Sequence, residues 1–351
     1  MELLQKTLRE IQKVDVAVAE RVQKRLDRLT KPPGSLGRLE ELAVWYGSAR
    51  GEVKPVLSKK AVVVFAADHG IADEGVSAYP KEVTAQMVYN FLRGGAGINV
   101  LAKHAGAEVV VVDIGVAHDF ENISGLRKSK IKHGTDNMVR GPAMSRIEAL
   151  SAVSEGITIA DEMARKGVDL LATGEMGIAN TTASSAITSF MTGHPAAIVT
   201  GRGTGVDDER LTHKIGVIEK VIRKNLPDRN DPMDVLAKVG GLEIAGLVGL
   251  IVGGAKNRIP VVLDGFISGA AALIAVGLKP EVKDYLVGSH QSSEPGHRLA
   301  LEHLGLAPLL NLNLRLGEGT GAVLAMGLIE AAVKILSEMA TFEEAGVSDK
   351  E

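Results

Sequence analysis

Apolar positions recur at helical spacing through the first fifty residues, with Leu4, Leu8 and Ile11 on one stripe and Val18, Val22, Leu26 and Leu29 on another. Lys31-Pro32-Pro33-Gly34 ends that run, because proline cannot continue a helix and disfavours helical geometry just before it. Ser35 then suits an N-cap for a third helix with Leu36, Leu39, Leu42 and Ala43 facing inward. From residue 60 the period changes: short runs rich in Val, Ile and Leu, at 61–67, 108–114, 168–173, 196–200, 259–263 and 309–316, alternate with helical segments. These runs are apolar on both sides rather than alternating, as expected for strands covered on both faces.

The intervening helices carry boundary signals. Ser145-Arg146-Ile147-Glu148 reads as a capping box for a helix ending at Gly167, and Asp231-Pro232 as an N-cap followed by proline in the first turn. Leu211, Ile215, Ile218 and Ile222 mark a helix starting near Asp207. The C-terminal segment returns to helix, with Leu324, Leu328, Ala332, Ile335 and Met339 on one face. The alternation predicts an α/β architecture: a doubly wound, mainly parallel, Rossmann-like sheet within residues 59–322. A small helical domain is expected from the two chain termini, 1–58 and 323–351.

Composition narrows the function. With no cysteine in 351 residues, disulfides, thiolate metal sites and cysteine nucleophiles are excluded. Lys+Arg 40 against Asp+Glu 43 leaves a net charge of −3, so no basic field awaits nucleic-acid phosphates. One Trp, four Tyr and six Phe do not make a base-stacking platform. The apolar stretches 247–255 and 270–278 are shorter than a membrane span, and the N-terminal residues alternate acid and base, so a cytoplasmic protein is expected. Forty glycines point to many tight turns.

Open parallel sheets bind ligands beyond the carboxyl ends of their strands. The residues after the apolar runs are Asp68-His69-Gly70, Asp113-Ile114-Gly115, Gly174-Glu175-Met176-Gly177, Gly201-Arg202-Gly203-Thr204-Gly205, Asp264-Gly265 and Gly317-Glu318-Gly319-Thr320-Gly321. Glycine in turns and acids as helix caps explain any one of them; their recurrence along one edge points to a site. Gly201–Gly205 precedes a helix and suits an anion, but Val206 replaces the third glycine of a dinucleotide fingerprint and no Walker lysine follows. Asn180-Thr181-Thr182 is either a second donor-rich anion pocket or an ordinary Asn cap. Glu175 and Glu318 sit among glycines beside Met176 and Leu316, whose apolar walls would raise a carboxyl pKa toward that of a general base. Nine histidines include no i, i+4 metal pair, and the polar stretch 289–297 reads as a hydrogen-bonded loop or a holder of metal or phosphate. The Gly-Xaa-Ser-Xaa-Gly elbow is absent.

Taken in order, several longer motifs make a pattern: Lys31-Pro32-Pro33-Gly34-Ser35-Leu36-Gly37-Arg38-Leu39-Glu40, Ala66-Ala67-Asp68-His69-Gly70, Gly174-Glu175-Met176-Gly177-Ile178-Ala179-Asn180-Thr181-Thr182 and Gly201–Gly205. Leu263-Asp264-Gly265-Phe266, Ser289-His290-Gln291-Ser292 and Leu312-Asn313-Leu314-Arg315-Leu316-Gly317-Glu318-Gly319-Thr320-Gly321 follow. The sequence resembles the nicotinate-nucleotide–dimethylbenzimidazole phosphoribosyltransferase family over about residues 20–335. The resemblance implies transfer of phosphoribose from nicotinate mononucleotide to 5,6-dimethylbenzimidazole with inversion at C1′, in a homodimer without metal or cofactor. It places the catalytic base on Glu318 and an assisting carboxylate on Glu175. Phosphate binding falls on Gly177, Asn180, Gly203, Thr204 and Ser292, with charge from Lys214, and Asp264 is set against the ribose hydroxyls or Lys214. Gln86, Met176 and Leu316 fall in the base pocket, while the bulk of Tyr79 leaves purines or phenols open as acceptors. Two alternatives stand beside it: a metal-assisted hydrolase built on Asp68, His69, Asp264 and His290, and a non-catalytic nucleotide-binding protein on the same fold.

Overall fold

In the computed structural model, which describes residues 2–121, 123–203 and 205–348, six strands form one all-parallel sheet. They are β1 (Lys60–Ala67), β2 (Ala107–Gly115), β3 (Leu126–Lys128), β4 (Leu170–Met176), β5 (Val261–Leu263) and β6 (Leu286–Gly288), in the order β3-β2-β1-β4-β5-β6. Strand β1 displays the logic of the apolar runs. Val63 and Phe65 enter one core while Val62 and Val64 enter the other, and all four are fully buried.

The helices are α1 (Glu2–Glu10), α2 (Val16–Asp27), α3 (Arg38–Arg50), α4 (Glu82–Arg93), α5 (Gly97–Ala105), α6 (Arg146–Arg165), α7 (Asn180–Thr192) and α8 (Ala196–Val199). They continue as α9 (Asp208–Asn225), α10 (Pro232–Val239), α11 (Leu242–Lys256), α12 (Phe266–Leu278), α13 (Pro295–Leu304), α14 (Thr320–Glu338) and α15 (Phe342–Ala345). Helices α1 and α6–α13 belong to one layer, with α11 against the sheet; α2–α5 and α14 belong to the other. Helices α6 and α11 approach closely because glycines meet at their crossing: a Cβ on Gly156 would stand 2.7 Å from the Leu250 nitrogen.

The predicted caps of α6 and α10 form. The Ser145 hydroxyl accepts from the Glu148 N–H (3.2 Å) and the Glu148 carboxylate accepts from the Ser145 N–H (2.7 Å); Asp207 and Asp231 cap α9 and α10. Ser35 does not cap α3, which starts at Arg38 after Gly37. The chain ends meet where the Thr30 N–H donates to Ala340 and the Phe342 N–H to Arg28, each at 3.0 Å. Helix α1 lies in the opposite layer, against α6 and α11.

Two expected strands are corrected. Residues 196–200 hold the short helix α8, entered through Pro195, whose ring favours a helix start. Residues 309–316 make one isolated bridge, His290 with Leu310, because Asn313 turns left-handed (φ 56°) and Leu312 and Leu316 face outward. Two strands escape the pattern: β3 and β6 are three-residue edge strands, too short to show a period. Helix α14 also corrects the expectation that no apolar segment reaches membrane-spanning length. It is 19 residues long, with an 18-residue window of mean hydropathy 1.6, long and apolar enough to cross a membrane by length and composition. Here it is a core helix, burying Val323, Met326, Ile329, Val333 and Leu336; the predicted stripe is rotated, and Leu328 is exposed.

Candidate active site

The sheet order reverses direction beside β1, and the ligand-binding crevice of such sheets lies beyond the carboxyl ends near that reversal. A cleft opens there, lined by Glu175, Met176 and Gly177 at the end of β4, Asn180 and Thr181 at the start of α7, and Gly265 after β5. His290, Ser292 and Glu294 after β6 complete the wall, with Gly203, Arg315, Leu316 and Gly317 from loops. Gly201–Gly205 thus connects two helices rather than following a strand, and Ser289-His290 takes its place as a strand end.

Glu318 is 5% exposed and stands in the left-handed region (φ 64°) between Gly317 (φ 81°) and Gly319 (φ 100°). This turn presses on the end of β4: a Cβ on Gly319 would lie 3.3 Å from the Gly174 Cα, which is why glycine serves at both positions. Glu318 Oε2 accepts from the Ile98 N–H at the start of α5 (3.0 Å). Burial raises the Glu318 pKa, and that N–H opposes the shift. Glu175 is buried on the strand, accepts from the Asn180 side-chain amide, and touches the space over Gly317. Burial, with Glu243 and Asp264 adding like charge, pushes Glu175 up to about 8.

The phosphate candidates gather at the other end. Lys214, on α9, is not on a solvated face: it is 1% exposed, and its Nζ donates to Thr181 Oγ1 (2.8 Å) and the Gly201 carbonyl (3.4 Å). Desolvation lowers its pKa to about 8, with Glu294 opposing. Gly203 turns left-handed (φ 54°), where a Cβ would stand 3.4 Å from Lys214 Nζ, and its N–H donates to Glu294 Oε1 at 2.8 Å. Ser292 is buried, donating its N–H to His297 Nδ1 (3.0 Å). Gly177 packs on the Ala67 carbonyl and on His69, whose Nε2 is 2.7 Å from Glu243; burial opposes the charge, but that carboxylate holds the imidazole above its usual pKa. Asn180 is the first residue of α7, after Ala179, rather than its cap. Thr204 lies outside the described residues.

Some expected contacts are not made. Asp264 does not reach Lys214: its carboxylate accepts from the Gly319 N–H (3.2 Å) and the Ala322 N–H (3.0 Å) at the start of α14, behind the wall. Met176 and Leu316 line the cleft, but Gln86 is exposed on α4 and is absent from its walls. The residues of the hydrolase alternative do not converge: Asp68 accepts from the Ala117 N–H, His69 pairs with Glu243 and His290 with Ser289. Among the described residues no group of three His, Asp or Glu could hold a metal ion. Sequence reasoning missed Thr181 as the lysine's partner, Glu294 under Gly203, and Arg315, whose Nη1 donates to the Gly203 carbonyl (3.3 Å). Their one signal was membership of polar, glycine-rich stretches.

A family model described as Phosphoribosyltransferase (DBI_PRT) matches residues 11–347. The nicotinate-nucleotide–dimethylbenzimidazole phosphoribosyltransferase of Geobacter sulfurreducens is 60% identical over 349 residues, covering 99% of both chains. That of Chloroflexus aggregans is 57% identical over 100% of this chain and 99% of its own. The crystal structure of CobT from Thermus thermophilus superposes with a TM-score of 0.91 at 49% identity, over 95% of this chain and 100% of that one. With a full-length match of this depth on the same all-parallel fold, the chain belongs to this phosphoribosyltransferase family.

Proposed function

We propose that this enzyme transfers the phosphoribosyl group of nicotinate mononucleotide to 5,6-dimethylbenzimidazole, releasing nicotinate and forming α-ribazole 5′-phosphate. The two substrates are those in the names of its relatives. The observation that carries the chemistry is Glu318, a buried carboxylate with a raised pKa, next in the chain to Gly317 of the cleft wall. One benzimidazole nitrogen attacks C1′ as the bond to the pyridinium nitrogen breaks. The other ring nitrogen gives its proton to Glu318, and nicotinate leaves with the bonding pair on its now neutral ring nitrogen. A single displacement inverts C1′ from β to α. Glu175, neutral at pH 7 before substrate binds, ionises beside the cationic pyridinium and then faces the positive charge that develops at C1′. Lys214, Gly203, Ser292 and the start of α7 take the phosphate, with Asn180 and Gly177 shaping its turn. Met176 and Leu316 flank the acceptor ring. The reading includes a homodimer working in the cytoplasm.

Incubation with both substrates and a chelator tests it. Nicotinate and α-ribazole 5′-phosphate are expected in equal amounts by chromatography and mass detection. Nucleotide hydrolysis that stops with chelator, or nucleotide binding without any product, overturns it in favour of the hydrolase or the binding protein.

A further inference from the structure

We infer that His290 determines sugar specificity, the lone pair on its Nε2 accepting a hydrogen bond from a ribose hydroxyl of the nucleotide. The inference rests on the phosphoribosyl-transfer reading above. The resemblance sets Asp264 against the ribose, yet that carboxylate is 1% exposed and both of its oxygens accept from backbone N–H groups of α14. The acceptor that does reach the wall is His290, which lines the cleft with Gly265.

Its tautomer follows from its neighbours. The Ser289 hydroxyl lies 3.0 Å from the Asp264 main-chain carbonyl, which can only accept, so the hydroxyl proton is committed there. Ser289 Oγ is also 3.0 Å from His290 Nδ1, and that contact therefore requires the Nδ1–H to donate. Nε2 then carries the lone pair, and it has no protein partner among the described residues. The ring is held in place by glycines: a Cβ on Gly321 would overlap it, and one on Gly265, itself part of the cleft wall, would stand 3.8 Å from Nε2. The ring of the neighbouring His297 is centred 5.9 Å away at an interplanar angle of 64°, with its own Nδ1 occupied by the Ser292 N–H. Burial keeps His290 neutral, pushing its pKa down to about 4.

A neutral lone pair repels phosphate and carboxylate oxygens and attracts a donor. His290 precedes Ser292 of the phosphate end by two residues, and its ring covers Gly321, three residues beyond Glu318 of the reacting end. Between a phosphate and C1′ the only donors a phosphoribosyl group offers are its hydroxyls.

The test compares kcat/KM for nicotinate mononucleotide with its 2′-deoxy and 3′-deoxy analogues, corrected for spontaneous hydrolysis. The wild-type enzyme is expected to prefer the ribonucleotide over one analogue by about tenfold or more. His290→Phe, which keeps the ring and removes the acceptor, should bring the ribonucleotide down to that analogue's level. His290→Gln, with an amide oxygen, should restore part of the preference. Equal use of all three nucleotides by the wild type, or an undiminished preference in His290→Phe, overturns the inference. Should His290→Phe fail to fold, imidazole 15N NMR of the wild type decides, because a protonated Nε2 in the neutral ring overturns it. A wild type that releases no nicotinate with dimethylbenzimidazole removes the transfer reading, and this inference with it. Turnover without sugar preference removes this inference alone.

Discussion

Glu318 holds a backbone conformation that a non-glycine residue adopts at a cost of about 1 kcal/mol or more. The turn is kept by the Gly319 and Ala322 N–H bonds to Asp264, and the side chain by the Ile98 N–H. Glu318→Gln should therefore fold and bind nicotinate mononucleotide with wild-type affinity by calorimetry while kcat drops by about 10²–10⁴-fold; full activity in this variant would remove the base. Since Glu318 must be ionised, activity is expected to disappear as pH falls through a pKa above the ordinary carboxylate range. Lys214 shapes the opposite limb. Its charge is present below about 8 and lost above it, so kcat/KM should decline on the alkaline side near that value. Bound phosphate raises the lysine pKa, so the corresponding limb in kcat lies higher, and Lys214→Met should abolish the limb while raising KM. At this scale the two glutamates were legible because glycines isolate them in the sequence. Thr181, Glu294 and Arg315 were not, because the Gly203 pocket joins residues as far as 112 positions apart.

Among the elements, the α6–α11 crossing is the least forgiving. A Cβ on Gly249 would stand 2.9 Å from the Gly156 Cα and overlap the Val153 carbonyl, backbone that cannot step aside. Gly249→Ala is expected to destabilise by about 2–4 kcal/mol in urea unfolding. Gly327, inside α14 with nothing within 4 Å of its Cβ position, is the control, and Gly327→Ala should gain up to about 1 kcal/mol. Equal effects in the two variants would mean that backbone entropy, not the approach of the helices, decides stability at the crossing. Long strands and capped helices could be read from pattern because their signal is local. The three-residue strands β3 and β6 exist only because neighbours supply their hydrogen bonds.

For the molecule as a whole, burial and the like charge of Glu243, Asp264 and Glu318 disfavour the ionisation of Glu175. A carboxyl held near 8 in the fold, against 4.5 ordinarily, binds its proton more tightly when folded. Its contribution to stability is thus full below about 4.5 and is lost as pH rises toward 8. Glu175→Gln, which keeps an acceptor for Asn180, should melt above the wild type at pH 8, with the gap closing toward pH 5. A gap independent of pH would show that Glu175 does not titrate there.

The sequence by itself determined the layered α/β class, the main strands and caps, and the glycine-flanked acids, since each depends on residues a few positions apart. Only the tertiary structure decided that Lys214 is buried rather than solvated, that Asp264 serves α14 instead of the cleft, and that Gln86 stands away from it. It also decided which nitrogen of His290 meets Ser289. Burial and hydrogen-bond direction are set by what the folded chain brings alongside, and a local pattern carries no record of that partner.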